Sequence, residues 1–136
     1  MKRLLVGIAL ALIVAAPVSA AQAPVSGSIS LATAEPAYQQ PATFDWSVSG
    51  RHKGFYYPMI YVACYQGSLV YGELRRVDEY GVANFSGPTF VLGGGSSAWV
   101  SGGGGPADCT ATLYLYPGLH DAPIIFLDQT TFSAAG

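Results

Sequence analysis

Beyond residue 24 the side chains alternate with a period of two, and no stretch there keeps the helical period of 3.6 for three turns. In "PATFDWSVSG", residues 41–50, Phe44, Trp46 and Val48 fall on one side and Thr43, Asp45 and Ser47 on the other. A strand is the conformation that sends such a pattern alternately to core and water, so the chain is expected to be all-β. "VSGSISL", residues 25–31, likewise places Val25, Gly27, Ile29 and Leu31 on one face. "MIYVACYQ", residues 59–66, is apolar on both faces, as a central strand should be.

"QGS" turns that third strand into "LVYGELRR", residues 69–76, a hairpin partner. "VDEYG" makes the next turn, with Asp78 and Glu79 as solvated turn residues rather than an acid and base pair. A shorter strand, residues 85–92, is interrupted by Gly87 and Pro88 and belongs at a sheet edge. "CTATLYLY", residues 109–116, points Cys109, Ala111, Leu113 and Leu115 inward. The loop "PGLHDAP" leads to the last strand, "IIFLDQTTF", residues 124–132, where Asp128 marks a bulge. About seven strands separated by turn signals predict a two-sheet sandwich.

The first twenty residues read as an export signal: Lys2 and Arg3, an apolar stretch over residues 4–16, and "VSA" at residues 18–20 as the cleavage site. The mature chain is expected to begin at Ala21, leaving residues 21–136 as one domain, long enough for one core and too short for two. The expected location is outside the cell or in its envelope, with no membrane insertion after cleavage. Removing Lys2 and Arg3 from six basic and eight acidic residues leaves four against eight, a net charge near −4. A weakly acidic chain with no basic stripe argues against nucleic acid and anionic membranes as partners.

Cys64 and Cys109 in an exported chain are most simply one disulfide. An exported chain of this size, with seven expected strands and two cysteines 45 positions apart, the second opening a strand that reads "ADCTATLY", resembles the immunoglobulin-like sandwich domains of secreted bacterial proteins. The resemblance covers residues 25–132 and concerns the fold, since this architecture carries many unrelated activities. An antibody-type domain has its first Cys on strand two, a Trp on strand three and a Tyr two residues before the second Cys. Here strand two carries Trp46, strand three carries Cys64, and Ala107 stands at the tyrosine's position. The antibody-type core is therefore absent. In the immunoglobulin order strands three and six are neighbours, so the resemblance implies a cross-strand disulfide within one sheet.

No catalytic constellation emerges. The glycine-rich run "LGGGSSAWVSGGGG", residues 92–105, lacks the GxxxxGK[ST] pattern, and no Lys or Arg lies beyond Arg76 to meet a phosphate. With Cys64 before it and Cys109 after it, the run is expected to be a loop between strands five and six, Trp99 packing on the sandwich. His52 and His120 are the only histidines; neither sits in a metal-binding spacing, and no GxSxG surrounds a serine. Glu35, Asp45, Glu73 and Asp128 are scattered over separate elements, unlike a glycosidase pair. The chain is expected not to be an enzyme and to need no cofactor or metal. "NFS" at Asn84 is a formal glycosylation sequon.

One constellation remains. In the immunoglobulin order the loop between strands two and three and the loop between strands six and seven emerge at one end. They would gather Arg51, His52, Lys53, Tyr56, Tyr57, His120 and Asp121, with half of the mature chain's basic residues beside tyrosines. Tyr and Arg give contact area and hydrogen bonds at low entropic cost, the chemistry of binding surfaces. The bland alternative is a polar loop whose aromatic residues pack on the core. The expected function is an extracellular or cell-envelope binding module for a protein. The alternative is a carbohydrate-binding module stacking sugars on Trp99, Tyr114 and Tyr116, and a small secreted hydrolase has least support. An exposed, coplanar row of Trp99 with either tyrosine would favour sugar; buried rings would favour the first reading.

Overall fold

The computed structural model describes residues 23–50, 54–78, 87–94, 98–99, 105–119 and 121–136. The strands are β1 (Ser26–Leu31), β2 (Pro41–Ser49), β3 (Tyr56–Gln66), β4 (Ser68–Arg76), β5 (Thr89–Val91), β6 (Ala107–Pro117) and β7 (Ile125–Ala134). They form two antiparallel sheets, β1-β2-β5 and β4-β3-β6-β7, an arrangement compatible with a β-sandwich, and no helix occurs among the described residues. The expected leader, Glu79, Asn84 and much of the glycine-rich run lie outside the described residues.

The period-two rows become the core. Ile29, Ala42 and Phe44 of the three-stranded sheet are buried with Ile60, Val62, Cys64, Cys109, Ala111 and Leu113 of the other. Phe44 joins the layers, with its ring centroid 5.8 Å from Phe90 and 5.7 Å from Phe132. Fully burying one such side chain stabilises the fold by about 1.5–3 kcal/mol. β3, apolar on both faces, is an interior strand between β4 and β6. Gly67 closes the β3–β4 hairpin with a φ of 79°, in the left-handed region.

Cys64 and Cys109 stand directly opposite each other on β3 and β6, their Cα atoms 4.0 Å apart, and form the disulfide. The bond lies within one sheet, as the order of strands three and six implies. Both sulfurs are buried in the core.

Charged side chains close both corners between the sheets. The register of β7 on β6 shifts between Leu113 and Tyr114, which is the bulge expected near Asp128. From there the Asp128 carboxylate accepts a hydrogen bond from the Ile29 N–H of β1 at 2.9 Å. At the opposite corner Arg75 of β4 donates to the Thr89 carbonyl of β5 at 2.6 Å and lies over the Phe90 ring. Arg75 is also paired with Glu73, which accepts the Tyr71 hydroxyl at 2.5 Å. Tyr71, Glu73 and Arg75 share the inward face of β4, opposite Cys64, Val62 and Ile60.

Two local expectations need correction. Tyr56 and Tyr57 are strand residues rather than loop, because β6 runs on to Pro117 and supplies them with ladder partners. Asp78 is not a solvated turn residue: it is half-buried and ion-paired with Arg76. The described part of strand five is short, Thr89–Val91, and it is an edge as expected.

Candidate functional site

The loop end forms where β2 stops at Ser49, β3 starts at Tyr56, β6 ends at Pro117 and β7 starts at Ile125. The two connections meet there: the Gly118 N–H donates to the Phe55 carbonyl at 2.7 Å. The Phe55 ring lies so close over Gly118 that a Cβ at residue 118 would collide with it. Phe55 and Leu119 remain 61% and 70% exposed, an unusual position for large apolar side chains at a loop tip. Asp121 is exposed beside them in the chain.

Of the tip residues expected from the sequence, Tyr56, Tyr57 and Asp121 are described at this end, and Tyr56 and Tyr57, successive residues of β3, face opposite sides of the sheet. Arg51, His52, Lys53 and His120 lie outside the described residues. Tyr56 turns toward the space between the sheets, where it lines a cavity of about 330 Å³ with Val25, Val48, Gly50, Pro58 and Leu115. Tyr57 belongs instead to the outer face of the four-stranded sheet. No group of three or more His, Cys, Asp or Glu side chains that could hold a metal ion occurs among the described residues.

That outer face is aromatic in a way that sequence reasoning only partly anticipated. Residues alternate with the buried row, so Tyr57, Met59 and Tyr61 of β3, Leu74 and Arg76 of β4, Tyr114 and Tyr116 of β6 and Phe126 of β7 share it. Ring contacts run from Phe55 to Tyr57 at 6.1 Å and from Tyr57 to Tyr116 at 6.3 Å, the latter pair within 23° of parallel. Tyr114 meets Phe126 edge to face at 6.2 Å. The Arg76 guanidinium sits 4.6 Å over the Tyr57 ring while pairing with Asp78. Tyr61, Leu74, Tyr114, Tyr116, Ile124 and Phe126 line an open trough of about 480 Å³ across this face.

Trp99 does not join the tyrosines. It is 2% exposed in the core, with Tyr38 5.5 Å from it, and the neighbouring Ala98 N–H donates to the Val70 carbonyl of β4 at 2.9 Å. The proposed row of Trp99 with Tyr114 or Tyr116 is therefore not formed. Ile124 and Phe126 were missed as surface residues because each reads as core by hydrophobicity, whereas Phe55 and Leu119 fall in the two expected loops. The signal that finds Phe126 is register: paired against Tyr114 of β6, it falls on the side opposite the disulfide. No protein-family model matches the chain, and neither a curated protein nor a solved structure is similar enough to it to count as a relative.

Proposed function

We propose that the chain is an exported, non-catalytic interaction module with an immunoglobulin-like strand order, and that its loop end engages a protein of the extracellular space or cell envelope. The observation that carries this reading is the hydrogen-bonded meeting of the two connections at Phe55 and Gly118, where Phe55, Leu119 and Asp121 are each exposed. Strands three, six and seven share a sheet and strands one, two and five the other, as in immunoglobulin domains, while strand four joins strand three. A disulfide is the cross-link that oxidising compartments preserve, which supports export.

Binding of the exported chain to cells of its own host tests the reading. Replacing Arg51, Lys53 and Leu119 together by Ala is expected to abolish that binding while circular dichroism stays unchanged. Unaltered affinity in the triple variant would reject the loop end.

The carbohydrate reading keeps one supporting observation, in altered form. Tyr57 with Tyr116, rather than Trp99, offers near-parallel rings, and the Arg76–Asp78 pair beside them offers hydrogen-bonding groups. A glycan array separates the two readings, since sugar binding lost in Tyr116→Ala would move the site from the loop end to the sheet face.

A further inference from the structure

We propose that the outer face of the β4-β3-β6-β7 sheet is a self-association surface on which two copies of this chain pair about a two-fold axis. The proposal goes beyond the loop-end reading and does not rest on it. Its first ground is the exposure of large apolar side chains where a solitary sheet face would carry polar ones: Leu74, Ile124 and Phe126 are 44–58% exposed. They continue into the rings of Tyr57, Tyr61, Tyr114 and Tyr116. Contiguous apolar patches of this kind mark interaction surfaces.

Charge narrows the occupant. The chain carries eight acidic residues against four basic beyond Arg3, yet the described charges on the apolar half of this face are Arg76 and Asp78, which neutralise each other. Asp108 lies toward the opposite end of β6, beyond Thr110 and Thr112. Two acidic copies can therefore meet here without opposing like charges, which elsewhere on the surface would disfavour contact. Charge depletion at the centre with Tyr, Phe, Met and Arg present, and a polar border of Thr110, Gln129 and Thr131, is the make-up of protein interfaces.

Shape and size point the same way. The face carries both a hole and a knob: the trough lies between rims that include Leu74 on β4 and Phe126 on β7. A two-fold axis would seat rim side chains of each copy in the trough of the other, the reciprocal contact an isologous interface needs. Four strands about 4.8 Å apart, over the nine residues of β4 at about 3.4 Å each, span a flat footprint on the order of 600 Å² when the apolar half and the polar half beyond Thr112 are counted together. Side-chain relief raises the accessible area above that footprint, toward the roughly 800 Å² per partner of a standard interface. A sugar fits less well, because the side chains lining the trough offer only the three phenol hydroxyls of Tyr61, Tyr114 and Tyr116. Its remaining hydroxyls would lose water without gaining partners there.

Sedimentation equilibrium of the exported, oxidised chain from about 1 to about 100 µM tests the proposal, a range that brackets a micromolar dissociation constant. The mass is expected to rise toward twice that of the monomer. Leu74→Lys with Phe126→Lys should hold the chain monomeric throughout, and Val91→Lys, an exposed change on the other sheet, should leave association intact. If the double variant fails to fold, Phe126→Ser alone should weaken association by at least about tenfold. A wild-type chain that stays monomeric at the highest concentration overturns the proposal. So does a dimer indifferent to Phe126, or a monomer whose Tyr116 face binds a glycan. Loss of cell binding in the loop-end variant bears on the other reading and leaves this one standing.

Discussion

Tyr71 carries its hydroxyl into the corner between the sheets, where burial first and the hydrogen bond to Glu73 second push its pKa well above the ordinary tyrosine value near 10. The folded chain holds that proton at a pH where the unfolded chain has released it. Stability from this group is therefore complete below about pH 10 and is lost as pH rises beyond it. Urea melts from pH 8 to 11 should show the decline in the wild type and a shallower one in Tyr71→Phe; equal slopes would contradict the assignment. Gly27 answers to space instead. A Cβ there would lie 2.9 Å from both the Ser47 carbonyl oxygen and Leu127. Gly27→Ala is expected to lower stability by about 1–3 kcal/mol through overpacking, read as a reduced denaturation midpoint. At this scale the sequence was partly legible: the bulge at Asp128 follows from a charge breaking an apolar alternation. The inward Glu73 and Arg75 were not, because charged residues read as solvent-facing until their opposite partners, Val62 and Ile60, are known.

Strands with open edges invite further pairing, and here the edges that meet at the two corners are tied across by side chains. Asp128 reaches β1 from β7, and Arg75 reaches β5 from β4. Removing the first tie by Asp128→Ala should destabilise the fold by about 1–2 kcal/mol, with Asn recovering part of the loss since its amide oxygen can still accept the Ile29 N–H. A midpoint in urea unchanged by the alanine would show that the tie contributes nothing. The disulfide acts on the same elements from within, because it clamps β3 to β6 at the interior of the larger sheet. Replacing Cys64 and Cys109 together by Ala should lower stability by about 2–4 kcal/mol, measured by chemical denaturation of the purified variant. Strand existence was legible from period two, and the pairing of strands three and six from the resemblance of fold. Strand length was not: Tyr56 and Tyr57 follow a loop-like "GRHKG", and only the run of β6 as far as Pro117 draws them into the ladder.

Seen whole, the molecule separates its surfaces by chemistry. The loop end presents Phe55, Leu119 and Asp121, the outer face of the larger sheet presents an uncharged aromatic trough, and the flanking edges are tied by ions and hydrogen bonds. The loop end was legible in outline, since strand order alone brings two distant connections together. The aromatic face was hidden, because Phe126 and Leu74 have core-like side chains and only register assigns them outward. The most direct test of the central claim, that partners are engaged at the loop end, is amide hydrogen exchange of residues 21–136 with and without cells or envelope of the host. New protection confined to residues 54–57 and 117–124 is the result the account predicts. Protection confined to the three-stranded sheet, with the loop end exchanging as in the isolated chain, would contradict it.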